Sequence, residues 1–265
     1  MRLLRVVMVI LICKVCVCLI NNIINYNMNN LHLLEVYNFD KKIRLGQLGD
    51  GGYVIGDLDN NNYDCYISAG VGGDESFTRD FIEKYNMNEN NSFAFDGTID
   101  NFPSGYTDKI QYFKKNIGSI NDDNNTNLSF LTDKFNNIFL KMDIEGGEYQ
   151  WLMNLDVNQL NKFKQIVIEV HGIMNNAYYT PYMDKLLFLQ KLKTYFYLIH
   201  AHGNNCCYVF SGIPGVIELT YVNKSYFQPK LNTTPLPIAG LDYRNLDDRP
   251  EIDLNLYPFV NTTTI

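Results

Sequence analysis

Cysteine is scarce in this sequence of 265 residues. Only six cysteines are present, and three of them fall within the first twenty residues. The chain is therefore not a scaffold held together by disulfides, and it is long enough to bury one full hydrophobic core. Basic residues are also in the minority, with 22 Lys and Arg against 29 Asp and Glu and a net charge of −7. Because nucleic-acid affinity is mostly electrostatic, we expect no nucleic-acid partner.

Long apolar runs are nearly absent, and the one present lies at residues 6–20, after Arg2 and Arg5. A basic start followed by about 15 apolar residues is typical of a secretory signal, and it is short for a hydrocarbon core of about 30 Å. We predict a signal peptide or signal anchor over residues 1–20, which could anchor the chain to a membrane through residues 3–20. An asparagine-rich linker would follow over residues 21–35. These features favour the secretory pathway or a membrane-anchored protein, with a cytoplasmic protein as the alternative.

Short apolar segments alternate with amphipathic segments between residues 36 and 226, which we take as one domain. The recurrence of Phe77, Phe81 and Tyr85 at every fourth position predicts a helix over residues 74–85, and residues 148–155 and 181–192 read similarly. Strands are predicted over residues 65–68, 92–95, 110–113, 138–142, 165–170, 195–201 and 216–221. This alternation predicts an α/β fold with a mostly parallel sheet and helices on both faces. The proline-rich residues 227–265 are predicted to form an extended tail packed on or beside the domain.

The first of these strands runs directly into the glycine turn Gly70-Val-Gly72-Gly73-Asp74, and a helix follows. Glycines at such a junction let a ligand approach the backbone, although plain turn geometry also uses them. Asp96 ends the next strand, about 26 residues after Gly70, where an acid can accept hydrogen bonds from both hydroxyls of a ribose. We therefore assign Gly70, Gly72 and Asp96 to a nucleoside-type cofactor.

Two carboxylates, Asp74 and Glu75, stand at the start of the helix after the glycine turn. A diphosphate at this position needs bare backbone amides, whereas carboxylates tolerate the positive charges of S-adenosylmethionine. The sequence therefore favours S-adenosylmethionine over NAD, and we add Asp74 to the cofactor-binding residues.

Three more carboxylates, Asp143, Glu145 and Glu148, follow the fourth predicted strand. Acids at the end of a buried strand are costly without a ligand, and ligands of open α/β sheets lie at that edge. A helix start favoured by its dipole explains Glu148 well and Asp143 poorly. We assign Asp143 to the cofactor and Glu145 to the substrate.

Candidates for a general base lie at the ends of the fifth and sixth predicted strands. His171, after the fifth strand and close to Glu169, is the first choice; His200 or His202, expected in the loop after the sixth, is the second. A histidine at a strand end can also be structural. Asn204 and Asn205 could bind sugar hydroxyls or form an ordinary turn.

The run Leu140-Lys-Met-Asp-Ile-Glu-Gly-Gly-Glu148 resembles the signature of the FkbM-type methyltransferases. The segment from Arg44 to Val54, with Asp50-Gly-Gly-Tyr53, resembles the N-terminal motif of the branch that includes animal methyltransferase-like proteins. Residues 168–171, 200–205 and 213–221 are similar to the later strands of this family, so the resemblance covers roughly residues 36–221.

This resemblance implies a Rossmann-like fold with seven strands and an S-adenosylmethionine-dependent O-methyltransferase. The methyl acceptor would be a hydroxyl of a sugar, a glycan or another small molecule. Asp50 and Tyr53 are accordingly assigned to the substrate, beside Glu145, Asn204 and Asn205.

Three alternatives remain open from the residues alone. A membrane-tethered binding or accessory protein could keep the fold without turnover, although Gly70, Gly72 and Asp96 are all retained. An NAD-dependent oxidoreductase or epimerase would need a Tyr-x-x-x-Lys pair, but Tyr149 is followed four residues later by Met153. Four residues could together hold a divalent metal: Asp143, Glu145, Glu169 and His171. They do not have a tight ligand spacing, so no metal is predicted.

Overall fold

A computed structural model of the protein describes residues 30–58, 62–173, 180–226 and 228–261. The segment predicted to be a signal or anchor lies outside these residues. The strands are β1 (Lys42–Leu45), β2 (Tyr53–Gly56), β3 (Cys65–Ala69), β4 (Ser92–Phe95), β5 (Gln111–Phe113), β6 (Asn116–Ile117), β7 (Asn125–Thr126), β8 (Ile138–Met142), β9 (Phe163–His171), β10 (Phe196–Gly203), β11 (Val209–Phe210), β12 (Ile213–Pro214) and β13 (Val216–Asn223). The α-helices are α1 (Ser76–Lys84), α2 (Ser129–Thr132), α3 (Glu148–Asn154), α4 (Val157–Leu160) and α5 (Tyr182–Tyr195), and 3-10 helices span Leu31–Leu34 and Lys224–Tyr226.

Seven strands form the central sheet, in the order β10-β13-β9-β8-β3-β4-β5. The pairs from β5 to β9 are parallel, and β13 is antiparallel to both of its neighbours. Numbered by their order along the chain, the strands from β5 to β10 therefore lie in the order 3-2-1-4-5-7-6. This arrangement confirms the predicted α/β fold with a mostly parallel seven-stranded sheet, and it is consistent with the Rossmann-like methyltransferase fold.

The two faces of the sheet are covered differently because successive side chains on a strand point to opposite sides. On β3, Cys65 and Ile67 belong to the larger core, which includes buried side chains of α3, α5 and the first 3-10 helix. Tyr66 points to the other face, into an aromatic core that includes Phe77 and Phe81 of α1 and residues of the β1–β2 hairpin. Helices thus lie on both faces, and the hairpin adds a cover over one of them.

Two sequence expectations about boundaries are wrong. The linker predicted for residues 21–35 does not extend to its end, because Leu31, Leu33 and Leu34 are buried in the larger core. The loop expected to carry His200 and His202 is also wrong, because both residues lie inside β10. The strand can include these two buried polar side chains because each has a hydrogen-bonding partner on a neighbouring element.

The segment after the sheet, residues 228–261, packs along the domain. It buries Leu236, Leu254 and Phe259, each at most 1% exposed. The side chain of Asn232 ties two parts of the segment together through the carbonyls of Thr234 and Phe259. We call residues 228–261 the tail.

Candidate active site

A cavity of about 190 Å³ opens at the carboxyl ends of β3, β4 and β8. Parallel strands end at one edge of the sheet, and ligands of such sheets bind there. Four of the predicted site residues line this strand-end cavity: Gly70, Asp96, Asp143 and Glu145.

Gly70 makes the turn after β3 with a φ of +81°. A Cβ atom there would lie 1.6 Å from the carbonyl oxygen of Asp143, so only glycine fits. The Nζ of Lys141 donates a hydrogen bond to the Gly70 carbonyl at 2.7 Å and holds the turn. Farther along, a Cβ on Gly73 would meet no atom within 4 Å, and one on Gly72 only a backbone nitrogen at 4.0 Å. The turn therefore leaves open space beside its backbone.

Asp96 presents a charged carboxylate to the cavity. Its Oδ2 accepts a hydrogen bond from the backbone N–H of Val71 at 3.0 Å, and its Oδ1 accepts one from the backbone N–H of Thr98 at 2.7 Å. Burial alone would raise the pKa of Asp96, but the hydrogen bonds from Thr98 and Val71 lower it overall. The Thr98 hydroxyl also donates to Oδ1, so of the about four acceptor positions of this carboxylate the capacity left for hydroxyls of a ligand lies on Oδ2.

Asp74, which was also predicted to bind the cofactor, is engaged in the local fold. Its Oδ1 accepts hydrogen bonds from the backbone and hydroxyl of Ser76 at the start of α1, and its Oδ2 accepts one from the Tyr106 hydroxyl at 3.0 Å. The bond to the Ser76 backbone is that of an Asx turn just before α1. Among the residues described as lining the strand-end cavity, Asp74 does not occur.

Four predicted residues converge at the mouth of this cavity and form what we call the histidine–carboxylate cluster: Asp143, Glu145, Glu169 and His171. The Nε2 atom of His171 lies 3.4 Å from Glu145 Oε2, 3.6 Å from Glu169 Oε1 and 4.0 Å from Asp143 Oδ1. His171 is 3% exposed and ends β9, the neighbour of the strand that leads into Asp143. The structure thus brings together residues that are up to 28 positions apart in the sequence.

Glu148 orients the imidazole from the other side. Its Oε1 lies 3.5 Å from His171 Nδ1 and accepts a hydrogen bond from the His171 backbone N–H at 3.1 Å. The Glu148 side chain is fully buried, so this contact is protected from water. The consequence is that Nε2 faces the other carboxylates of the cluster.

The cluster has unusual proton affinities. Burial raises the pKa of Asp143 against the opposing effect of Lys141, and burial together with nearby Asp143 and Glu218 raises the pKa of Glu169 well above its ordinary value. Burial would lower the pKa of His171, but Glu148, Asp143 and Glu145 raise it overall. Groups with raised pKa values in a cleft are suited to accept and hold protons near neutral pH.

A second polar row runs across the sheet beside this cluster. Register pairs His202 with Glu218 and Glu218 with Glu169, so the three side chains share one face. The Nδ2 of Asn204 donates to Glu169 Oε1 at 3.2 Å, and burial beside Glu169 raises the pKa of Tyr53 well above its ordinary value. The predicted substrate residues Tyr53 and Asn204 therefore lie next to Glu169, the predicted partner of His171.

The tail contacts this second polar row through side-chain hydrogen bonds. Asn245 donates hydrogen bonds through Nδ2 to Glu218 Oε1 at 2.8 Å and to Asp50 Oδ1 at 3.2 Å. His202 lies between Glu218 and Glu251, which overcome the effect of burial and raise the pKa of His202 to about 10. Asp50, predicted to bind substrate, is thus linked to the sheet through the tail.

Two predicted site residues form hydrogen bonds with the tail and are not among the residues that line the strand-end cavity. The amide of Asn205 donates to the carbonyls of Leu246 and Arg249 and accepts from the Leu246 backbone N–H. His200, predicted as a second base, is 2% exposed and bonds through Nε2 to Asp242 at 2.8 Å. His200 lies two residues inside β10 from His202, away from the strand end, which is the environment of a structural histidine.

Sequence reasoning left three residues of this region without a role. Lys141 holds the glycine turn, and Glu218 belongs to the second polar row. Glu75 is 2% exposed beside the turn; burial raises its pKa, and the positive charge of Lys141 partly offsets that rise. The sequence did carry a signal for two of them. Lys141 and Glu218 are charged residues inside otherwise apolar strands, a costly placement that indicates a partner.

In the comparison with family models, the methyltransferase FkbM domain matches residues 34–204, well over half of the chain. No curated protein and no solved structure matches the sequence. Across the part of the chain that the structure describes, no helix combines the length and apolar character needed to cross a membrane.

Proposed function

Because the chain belongs to the FkbM methyltransferase family, we propose that it transfers a methyl group from S-adenosylmethionine to a hydroxyl of a sugar, a glycan or another small molecule. One observation carries the proposal. Asp143 and Glu145 line the strand-end cavity together with Gly70 and Asp96, and Glu145 also lies 3.4 Å from His171 in the histidine–carboxylate cluster. The proposed cofactor cavity and the group of proton acceptors therefore share two residues at one edge of the sheet.

The residues of the cavity fit S-adenosylmethionine. Asp96 offers a charged acceptor for the ribose hydroxyls, and the open side of Gly72 and Gly73 leaves room for a ligand beside the backbone. Asp143 and Glu145 line the end of the cavity that meets the cluster, where their negative charge would favour a positively charged group. The cofactor, when bound, supplies an electrophilic methyl group on a positively charged sulfur.

The protein's own contribution is alignment and proton transfer. Methyl transfer to oxygen needs the hydroxyl in line with the methyl group, and holding two reactants so can supply a large part of the rate enhancement. The hydroxyl must lose its proton, and Glu169 and His171, 3.6 Å apart, form the proton-accepting pair. The raised pKa of Glu169 makes its carboxylate a stronger base than an ordinary glutamate.

The acceptor would bind where the second polar row meets the histidine–carboxylate cluster, at Glu169. Tyr53, Asn204 and Asp50 surround Glu169 or reach it through the tail, and their hydroxyl, amide and carboxylate groups suit a polyhydroxylated ligand. We further propose that this protein works in the secretory pathway or at a membrane and has no nucleic-acid partner, on the basis of its N-terminal sequence and its net charge of −7.

Isothermal titration calorimetry tests the cofactor. The full-length chain is titrated in parallel with S-adenosylmethionine, S-adenosylhomocysteine and NAD. The proposal predicts micromolar binding of the two sulfur compounds, about −8 kcal/mol, and none of NAD. Binding of NAD alone would favour an oxidoreductase, and no binding by a folded sample would favour an accessory protein without turnover.

A further inference from the structure

We propose that Asp143, Glu145 and His171 bind one divalent metal ion at the mouth of the strand-end cavity. The sequence did not predict a metal because the candidate ligands have no tight spacing along the chain. The fold nevertheless brings these three side chains together. Binding of the ion depends only on these side chains, whereas its role in methyl transfer rests on the proposed function.

The distances between the three groups suit a shared ion. One ligand atom from each residue lies within 4.8 Å of the other two. His171 Nε2 is 3.4 Å from Glu145 Oε2 and 4.0 Å from Asp143 Oδ1. With metal–ligand bonds of about 2.0–2.2 Å, atoms around one ion lie about 3–4.4 Å apart. These separations exceed normal hydrogen bonds and match the edges of a coordination shell.

Asp143 gives an independent sign of a missing ligand. Its Oδ1 atom is buried and accepts no hydrogen bond. The nearest lysine, Lys141, directs its Nζ to the Gly70 carbonyl, so it does not bond this oxygen. A buried carboxylate oxygen without a donor is costly, and a cation at the position that it faces would remove that cost.

Two features orient the other two ligands, His171 and Glu145, toward the position that Asp143 Oδ1 faces. Glu148 lies against His171 Nδ1, and metal-binding histidines commonly have such a carboxylate on the nitrogen opposite the metal. Glu145 has a φ of +56° and is followed by Gly146 at +99°. A left-handed backbone is strained for glutamate, and such strain concentrates at functional sites. In this turn the Glu145 carboxylate reaches His171 Nε2 although its side chain is 76% exposed.

The ion would lie between the cofactor cavity and Glu169. There it would hold the oxygen of the acceptor hydroxyl and lower the pKa of that hydroxyl, while any proton on His171 Nε2 is released to solvent as the metal binds. Glu169 then remains as the proton acceptor, still bonded to Asn204. Two carboxylates with one imidazole suit Mn²⁺ and also Zn²⁺.

The test titrates the full-length chain, after removal of metals by a chelator, with Mn²⁺ under electron paramagnetic resonance and with Zn²⁺ by calorimetry. Glu145→Gln is the informative variant, since its exposed side chain allows substitution without disturbing the core. Glu83→Gln, an exposed acid on α1, is the matched control.

We expect one equivalent of Mn²⁺ or Zn²⁺ to bind, with affinity lowered about tenfold or more by Glu145→Gln and unchanged by Glu83→Gln. The inference is overturned if neither ion binds the folded chain, or if Glu145→Gln binds as tightly as the unmodified protein. S-adenosylmethionine binding is measured on the same sample. Cofactor binding without metal binding refutes the ion alone, and metal binding without cofactor binding refutes the proposed function alone.

Discussion

Replacement of Asp96 by alanine should weaken cofactor binding far more than it weakens folding. In the proposed complex the carboxylate accepts hydrogen bonds from both ribose hydroxyls, and bonds to charged groups contribute about 1.5–3 kcal/mol each. Allowing for water that partly replaces them, the loss is about 2–4 kcal/mol. At about 1.4 kcal/mol for each factor of ten, affinity should fall roughly 30- to 900-fold.

The effect on folding should be smaller because Asp96 lies at the cavity and is only partly buried. Its loss leaves the backbone N–H groups of Val71 and Thr98 without this acceptor, at a cost of about 1–3 kcal/mol that water in the cavity can reduce. Calorimetry with S-adenosylhomocysteine measures the affinity, and thermal unfolding measures the stability.

Thr98→Val is the matched control for this variant. It removes the hydroxyl that donates to Asp96 Oδ1 but keeps the carboxylate and the backbone donors. We expect its affinity to remain close to that of the unmodified protein. An Asp96→Ala protein that is folded and binds S-adenosylhomocysteine with unchanged affinity would refute the assignment of Asp96 to the ribose.

Three further substitutions test the base and the tail. Glu169→Gln should abolish methyl transfer while sparing S-adenosylhomocysteine affinity, and full turnover in the variant would exclude it as the base. In the unmodified protein, measured without added metal, kcat/KM should rise with pH to a midpoint well above 4.5, because burial and neighbouring acids raise the pKa of Glu169. Asp242→Ala breaks a buried pair with His200, so it should lower the free energy of unfolding by about 3 kcal/mol and the melting temperature by about 6–12 °C. An unchanged melting curve would show that this pair does not stabilise the fold. Asn245→Ala removes the bonds from the tail to Glu218 and Asp50, so hydrogen exchange of the residues around position 245 should accelerate. Unchanged protection there would show that these two bonds do not hold this part of the tail.

The fold was predictable because local patterns determine most of it. The strands predicted over residues 92–95 and 138–142 agree in both bounds with β4 and β8, and the others agree within about two residues at each end. The order of the strands could be inferred only through family resemblance, because pairing depends on contacts between distant segments. The burial of Leu31–Leu34 was missed because a short apolar segment after an asparagine-rich stretch carries no sign of its distant partners.

The candidate site was predictable in its residue types and less so in its geometry. Asp96 and Asp143 follow strands, so their place at the sheet edge follows from the parallel topology. The approach of Glu145 to His171 depends on a left-handed backbone at Glu145, which residue type does not reveal. The engagement of Asn205 by the tail was equally hidden, because its partners lie more than 40 positions away.

A structure of the protein bound to S-adenosylhomocysteine tests the central claim most directly. The account predicts that the ligand occupies the strand-end cavity, with its ribose hydroxyls within hydrogen-bond distance of Asp96 and its sulfur directed toward Asp143 and the histidine–carboxylate cluster. A ligand bound elsewhere, or bound in the cavity with its sulfur turned away from the cluster, would contradict the account.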